Sequence, residues 1–223
     1  MSELSGVSAL VTGATSGIGR AVAVALAGLG AYVGVSGRDE VRGKQVVDEI
    51  MGFGGRAEFL AADLSDAASA RLLADSAIER LGKVDVLVNN AAIYPPGPTE
   101  GMADADFEAV FGLNVKAPFF LVGRLAPEMI ERGHGVIVNV TSMVAEFGYV
   151  GLSLYGASKF ALVLLTKAWA AEYGPRGVRV NAVSPGPTRT EGTAAYGEVL
   201  EQLAAPAQRL ATTSRRRPHS GVT

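Results

Sequence analysis

Six short apolar runs, separated by longer mixed segments, are the feature that most limits what this chain can fold into. Each run is rich in Val, Ile and Ala and is continuously apolar, with no regular alternation of polar residues. Continuous runs are typical of strands buried on both faces, as in a parallel sheet covered by crossover helices. We expect strands within residues 7–13, 31–37, 57–64, 84–92, 135–142 and 178–186.

The segments between the runs have helical spacing. In residues 66–82, for example, one side of a helix would carry Leu72, Leu73, Ala77, Ile78 and Leu81. Alternating strands and helices predict an α/β fold, a doubly wound parallel sheet of the Rossmann type. The sequence shows no repeat and no linker, so we expect one domain over residues 1–190.

Composition excludes several classes of function. A formal net charge of -2 gives the body of the chain no electrostatic footprint for nucleic acid. The absence of cysteine excludes disulfides, thiolate zinc sites and cysteine nucleophiles. The histidines His134 and His219 support neither a nucleophile triad nor a metal cluster, so we expect no metal and no hydrolase.

The chain carries no pattern typical of export or membrane insertion. The N-terminus lacks a basic region and a long apolar core, which indicates a cytoplasmic protein. Residues 21–35 are the longest apolar run, but a bilayer needs about 20 residues and glycines interrupt this run. We interpret it as a buried helix followed by a strand, and expect no membrane partner.

A glycine-rich stretch, TGATSGIGR at residues 12–20, joins the first predicted strand to the first predicted helix. Gly13 would allow a tight turn, Gly17 would let the backbone approach a pyrophosphate, and Gly19 would let helix and strand pack closely. An ordinary glycine turn is the alternative, but the position after the first strand favours a dinucleotide site. The other expected contacts of this loop are Thr15, Ser16 and Ile18.

The end of the second predicted strand bears on the choice between NADP and NAD. An acidic residue there would bond the ribose hydroxyl of NAD and repel the 2′-phosphate of NADP. The sequence instead has Ser36 and Arg38, which fit a phosphate, so we favour NADP(H), with NAD(H) as the alternative. Asp39 is the opposing observation, and its alternative role is to cap the next helix.

The segment YGASK at residues 155–159 is the main candidate for acid/base chemistry. Tyr155 and Lys159 are four residues apart on a predicted helix, so their side chains share a face. Taken alone, the pair is equally typical of a helix rim beside a surface lysine. A second candidate is Asn114. Pro118, four residues later, lacks the N–H that would bond back to the Asn114 carbonyl, so that carbonyl is left free near the crevice.

These motifs together resemble the compact members of the short-chain dehydrogenase/reductase family. The resemblance runs in order through the glycine loop, NNAA at 89–92, Asn114, Ser142, YGASK and SPGPT at 184–188. Ala92 departs from the family pattern, which has glycine there. The resemblance implies hydride transfer between a nicotinamide cofactor and a carbonyl or alcohol, with Tyr155 as general acid/base and Ser142 and Asn114 in the catalytic set.

The resemblance also implies cofactor contacts. Asp63 would bond the adenine amino group, although it is equally suited to cap the following helix. Thr188 would bond the nicotinamide carboxamide, and Lys159 would bind the ribose and tune Tyr155. The remaining implied contacts are Tyr155, Leu64, Asn90, Ala91, Pro185 and Gly186.

The proposed tuning of Tyr155 has a defined energetic requirement. Lowering a tyrosine pKa from about 10 to about 7 requires about 4 kcal/mol in favour of the phenolate. A lysine cation about 4 Å away, at an effective dielectric near 20, would supply about that amount. We therefore expect Lys159 to lower the pKa of Tyr155.

The C-terminal part departs from the family pattern of a last helix and strand. Residues 191–210 are expected to form a substrate-loop region, and residues 211–223, with RRR at 215–217, have the composition of a disordered tail or of a contact for an anionic partner. An altered C-terminus leaves a second hypothesis, a nucleotide-binding protein without turnover. We also expect a homo-oligomer, at least a dimer, formed through the helical segments around residues 107–120 and 155–172.

Overall fold

The computed structural model of the protein describes residues 3–191. Its centre is one parallel sheet of six strands in the order β3-β2-β1-β4-β5-β6, which confirms the predicted doubly wound fold. Each strand lies within a run predicted from the sequence or extends one residue beyond it. The strands are β1 (Ser8–Val11), β2 (Tyr32–Gly37), β3 (Arg56–Ala61), β4 (Val86–Asn89), β5 (Gly135–Val140) and β6 (Val178–Val183).

Helices from the described part of the chain cover both faces of this sheet. Side chains from α1 and α2 pack on one face, and side chains from α3, α5 and α6 pack on the other. The interior is apolar on both sides, as the continuous Val- and Ile-rich runs predict. The helices are α1 (Gly17–Gly28), α2 (Glu40–Gly52), α3 (Ala67–Leu81), α4 (Asp104–Phe111), α5 (Ala117–Glu131) and α6 (Ser153–Tyr173).

The strand order reverses between β1 and β4. The chain runs outward from β1 through β2 to β3, then returns to pair β4 with the other side of β1. In such sheets a crevice opens beyond the carboxyl ends of the strands at this reversal. The polar and glycine-rich residues that follow each strand therefore collect around one crevice.

The stretch from residue 104 to 131, which includes α4 and α5, is the one helical span among residues 3–191 that is long and apolar enough to cross a membrane by length and composition alone. Half of its most apolar window is buried inside the protein. Leu121, Leu125 and Met129 belong to the core on the α3 and α6 side of the sheet. This is the burial pattern of a core helix.

Several sequence predictions lie outside the described residues. These concern nearly all of the substrate-loop region at 191–210, the tail at 211–223 with its arginines, and the last helix and strand of the family pattern. Within the described part of the chain, β6 forms one edge of the sheet and pairs with β5.

Candidate active site

A cleft of about 1200 Å³ lies at the carboxyl ends of the strands. It extends from the loop after β3 to the loop after β6, and it brings together all the residues predicted for the site except Asn114. The predicted residues that line it are Gly13, Thr15, Ser16, Gly17, Ile18, Gly19, Ser36, Arg38, Asp63, Leu64, Asn90, Ala91, Ser142, Tyr155, Lys159, Pro185, Gly186 and Thr188.

The glycine loop between β1 and α1 has the backbone geometry that its sequence predicts. Gly13 and Gly17 have φ of 62° and 53°, a region that side chains other than glycine rarely adopt. A Cβ on Gly19 would lie 2.2 Å from the Gly13 carbonyl oxygen, so only glycine fits there. The loop is therefore held tightly against β1, with the N-terminus of α1 directed at the cleft.

Asn90, after β4, ties the two central strands together. Its side-chain nitrogen donates to the carbonyl oxygens of Thr12 and Gly13 at 2.8 and 3.1 Å. Ala92 lines the cleft two residues later, where the family pattern has glycine. No residue other than glycine has positive φ among residues 3–191, so Ala92 sits there without backbone strain.

Two cations that follow β2 line the cleft, Arg38 in the connection to α2 and Arg42 in the first turn of α2. Asp39, the acidic residue that opposed the assignment of NADP, caps α2 by accepting from the Arg42 N–H at 3.0 Å. Its other oxygen pairs with the Arg42 side chain at 2.6 Å. Hydrogen bonds from the Arg42 backbone and side chain hold the pKa of Asp39 below its usual value. The carboxylate is thus already engaged.

Asp63 follows β3 and lines the cleft, but it does not cap a helix. The prediction that it might cap α3 is wrong, because Asp66 is the N-cap and accepts from the Ser69 N–H at 2.7 Å. The cap lies three residues further on because residues 62–66 form the connection from β3 to α3. Asp63 is left beside the cleft with Leu64.

Tyr155 lies in the first turn of α6 and faces the cleft. Burial raises its pKa above the usual value, a hydrogen bond with the Ser142 side chain lowers it, and Tyr94 raises it further. The Tyr94 ring lies 5.7 Å from the Tyr155 ring, centre to centre. Ser142 is held at the end of β5, where its hydroxyl accepts from the Val144 N–H at 3.4 Å.

Lys159 lies one turn beyond Tyr155 and is 2% exposed. Its ammonium nitrogen donates to the Val140 carbonyl at 2.8 Å, at the end of β5. The same nitrogen lies 5.8 Å from the centre of the Tyr155 ring. Burial lowers the pKa of Lys159 to about 8.

This geometry corrects the expectation that Lys159 lowers the pKa of Tyr155. The Lys159 ammonium is bonded to a backbone carbonyl, and burial outweighs the hydrogen bond from Ser142, so the pKa of Tyr155 is raised. The estimate from the sequence placed the cation about 4 Å from the phenol and omitted the cost of burying both groups. The protein by itself keeps Tyr155 protonated at neutral pH.

Asn114 is fully buried and lies behind the cleft wall. Its side-chain oxygen accepts from the Ile93 N–H at 3.0 Å, and its nitrogen donates to the Ile93 carbonyl and the Ser158 hydroxyl. The helix forms a π turn over Gly112–Lys116, where regular helical bonding changes ahead of Pro118. Asn114 therefore connects this turn to the loop after β4 and to α6.

The loop after β6 closes the remaining side of the cleft. The Pro185 carbonyl accepts from the Met143 N–H at 3.2 Å, which joins this loop to the one that carries Ser142. The Thr188 hydroxyl donates to the Gly186 carbonyl at 3.0 Å. Glu191, the last described residue, reaches the glycine loop, where it accepts from the Gly17 N–H at 3.0 Å.

Sequence reasoning missed several lining residues, among them Arg42, Tyr94, Tyr149 and Thr190. Tyr94 and Tyr149 follow predicted strands by several residues, and only their position beyond a strand end signals them.

Charged side chains are unevenly distributed along the cleft. Its charged lining residues are Arg38, Asp39, Arg42 and Asp63 at the β2 and β3 ends, and Lys159.

No group of three or more His, Cys, Asp or Glu side chains between residues 3 and 191 is arranged to hold a metal ion. The acid/base candidates that line the cleft are the tyrosines Tyr94, Tyr149 and Tyr155, the Lys159 ammonium, and the carboxylates near β2 and β3.

A glycine loop at the switch point of a Rossmann-type sheet, facing a Tyr–Lys pair across one cleft, defines a nucleotide-dependent enzyme class. The family model described as short chain dehydrogenase matches residues 8–200, and the chain belongs to that family. It is accordingly an NAD(P)-dependent oxidoreductase.

Individual relatives support the same family assignment. The chain is 41% identical over 189 residues to a 7alpha-hydroxysteroid dehydrogenase of Escherichia coli, covering 85% of this chain and 74% of that one. A solved putative betaketoacyl-ACP reductase is 50% identical, with a TM-score of 0.79 over 84% of this chain and 75% of its own. A metagenomic short-chain oxidoreductase solved with NADP is 39% identical, with a TM-score of 0.79 over 82% and 83%.

Proposed function

We propose that this protein transfers a hydride between NADP(H) and a carbonyl or alcohol substrate, with Tyr155 as the general acid/base. The observation that carries the proposal is the half-buried Tyr155, whose hydroxyl is hydrogen-bonded to Ser142 on the cleft that also contains the glycine loop. The cofactor supplies the hydride. The residues of this chain bind and orient the reactants and move the proton.

In the reductive direction, Tyr155 donates its proton to the developing alkoxide, and the Ser142 hydroxyl donates a hydrogen bond to the same oxygen. A raised pKa supports the acid role, because Tyr155 is protonated at neutral pH. Lys159 carries positive charge below a pH of about 8 and, on the cleft beside Tyr155, would bind the ribose of the cofactor. Asn114 holds the loop after β4 against α6 and acts as a positioning residue.

The preference for NADP(H) rests on the end of β2. Arg38 and Arg42 line this part of the cleft, and the acidic side chain that lines it with them, Asp39, is bonded to Arg42. A 2′-phosphate would therefore meet two guanidinium groups and an acid that is already paired. Among the solved relatives one carries NADP and a 7 alpha-hydroxysteroid dehydrogenase carries NADH, so the preference rests on Arg38 and Arg42 and not on the relatives.

Changing Arg38 to Glu is expected to lower the NADP over NAD ratio of kcat/KM by about tenfold or more, because a carboxylate repels the 2′-phosphate and accepts from ribose hydroxyls. The measurement is steady-state kinetics with both cofactors and one substrate. Arg179→Glu, on an exposed position of β6, makes the same change in net charge far from the cleft and should leave the ratio unaltered. An unchanged ratio in Arg38→Glu would remove Arg38 from this role.

The substrate end of the cleft suggests an uncharged, apolar ketone or secondary alcohol. Near Tyr155 the described lining residues are uncharged apart from Lys159, and include Tyr94, Pro96, Val144, Tyr149 and Leu152. A 3-oxoacyl thioester and a cyclic ketone both present a carbonyl flanked by apolar carbon. The reductase and hydroxysteroid dehydrogenase among the relatives act on substrates of these two kinds by name.

The test of the proposal is a fluorescence titration with NADPH and NADH, followed by cofactor consumption with a panel of cyclic ketones and 3-oxoacyl thioesters. Binding with turnover is the expected result. Binding without turnover across the panel would favour the second hypothesis, a nucleotide-binding protein that does not catalyse. A protein that bound neither NADPH nor NADH would contradict both hypotheses.

We further propose that the protein is at least a dimer. A groove of about 550 Å³ lies between the α4–α5 span and α6, with Phe119, Phe120 and Leu165 in its lining and an almost wholly apolar surface. Leu164, which lines the groove, is 61% exposed, and Phe160, one turn before it on α6, is 57% exposed. Patches of this kind on α5 and α6 are typical of contact surfaces between subunits.

We retain the cytoplasm as the proposed compartment, with neither nucleic acid nor membrane as a partner.

Changing Leu164 to Glu is expected to convert the dimer to a monomer, because a charge at a buried apolar contact costs several kcal/mol. Leu72→Glu, at an equally exposed position on α3, should leave the assembly unchanged. Light scattering coupled to size exclusion measures both masses. A monomeric parent protein, or a Leu164→Glu protein that is still dimeric, would contradict the proposed surface.

A further inference from the structure

The N-terminus of α1 is capped by a carboxylate from the far end of the described chain. Ser16 is the N-cap residue, but its side chain makes no capping hydrogen bond. The Gly17 N–H instead donates to the Glu191 carboxylate at 3.0 Å, across 174 positions in the sequence. The first free amide of the helix is therefore satisfied by an anion that the protein itself provides.

Packing and charge both hold Glu191 in this position. The Thr190 side chain lies 3.3 Å from the point where a Cβ on Gly17 would sit, so the end of the β6 loop rests directly on the glycine loop. Hydrogen bonds from its own N–H and from Gly17, with smaller effects of Arg20 and Arg42, keep the pKa of Glu191 below its usual value. The carboxylate is ionised at neutral pH.

We propose that Glu191 sets the affinity for the cofactor by occupying the pyrophosphate position at the N-terminus of α1, from which the cofactor must displace it. This inference rests on the proposed cofactor. A helix N-terminus with a glycine loop attracts an anion through its free N–H groups and its dipole. A pyrophosphate needs the same donor, and two anions sharing one N–H would repel each other.

If the cofactor displaces Glu191, the loop after β6 gains a second position. With Glu191 bonded to Gly17, the loop lies on the glycine loop. Once a pyrophosphate takes the N–H, Glu191 loses its bond to the glycine loop, and the loop after β6 is free to leave the glycine loop. Cofactor binding is thereby coupled to the start of the substrate-loop region through one carboxylate.

The test is an NADPH titration, by fluorescence, of the unchanged protein, Glu191→Ala and Glu40→Gln. Glu191→Ala is expected to bind NADPH about tenfold more tightly, which is the gain from removing one competing charge close to the site. Glu40, on α2, is exposed and paired with Lys44, so Glu40→Gln removes the same charge without opening the loop and should change the affinity by less than about twofold.

A second probe distinguishes competition at the pyrophosphate position from the general effect of removing one negative charge. Adenosine 2′-monophosphate lacks the pyrophosphate, so its affinity should differ by less than about twofold between the unchanged protein and Glu191→Ala. An equal gain for this probe, or NADPH affinity that is unchanged or weaker in Glu191→Ala, would overturn the inference while leaving the proposed function intact. Absence of NADPH binding in all three proteins would overturn both.

Discussion

Replacing Tyr155 with Phe is expected to lower kcat by about 10³-fold while the Kd for NADPH changes by less than about twofold. The substitution removes only the hydroxyl, which is the proton donor, and keeps the ring that packs 5.7 Å from Tyr94. The cofactor contacts in the glycine loop and at the end of β2 lie elsewhere on the cleft. Single-turnover reduction and a fluorescence titration measure the two quantities on the same protein.

Tyr94→Phe is the matched control for Tyr155→Phe. It removes a hydroxyl from the neighbouring ring on the same cleft, and this hydroxyl has no part in the proposed proton transfer. We expect it to retain kcat within about tenfold of the unchanged protein. Turnover that survives in Tyr155→Phe would show that another group donates the proton. Loss of NADPH binding in the same variant would show that it damages the cleft as a whole.

The fold was predictable because its signals are local. Each strand produces its own apolar run, and the burial of both sheet faces makes those runs continuous, so all six strands could be located from short windows. The glycine loop was equally readable, since Gly13 and Gly19 are required by turn geometry and by close packing within one βα unit. The position of Tyr155 at the start of α6 follows from helical spacing.

What the sequence did not reveal depends on contacts between distant segments. Asp63 and Asp66 are both suitable caps for α3, and only the path of the connection decides between them. The bond between Glu191 and Gly17 joins two loops that no sequence pattern links. The pKa of Tyr155 depends on how deeply it is buried and on where the Lys159 ammonium points, and spacing on a helix specifies neither.

Lys159→Met is expected to stabilise the protein in the absence of cofactor while abolishing most turnover. Burial lowers the pKa of Lys159 from 10.5 to about 8, so keeping this side chain charged at pH 7 costs the folded state about 3 kcal/mol. Methionine has a similar length and no charge. It leaves the Val140 carbonyl without its donor, at a cost of about 1–2 kcal/mol, so a net gain of about 1–2 kcal/mol is expected at pH 7.

The gain in the free energy of unfolding from Lys159→Met depends on pH, and its direction follows from the lowered pKa of Lys159. Because the folded pKa is below the unfolded value, the unfolded chain binds the extra proton between pH 8 and 10.5, and the stability of the unchanged protein rises through that window. Lys159→Met lacks this rise. Its advantage should therefore be largest below pH 8 and should vanish or reverse as the pH approaches 10.5.

Urea unfolding of both proteins at several pH values measures the difference, with Lys167→Met, an exposed position on the same helix, as the control. The control should stay close to the unchanged protein at every pH. A Lys159→Met protein less stable than its parent at pH 7 would mean that the Val140 bond outweighs the burial of the charge. The opposite result would show that the chain maintains a buried cation beside Tyr155 at the expense of its own stability, as expected for a group retained for proton transfer.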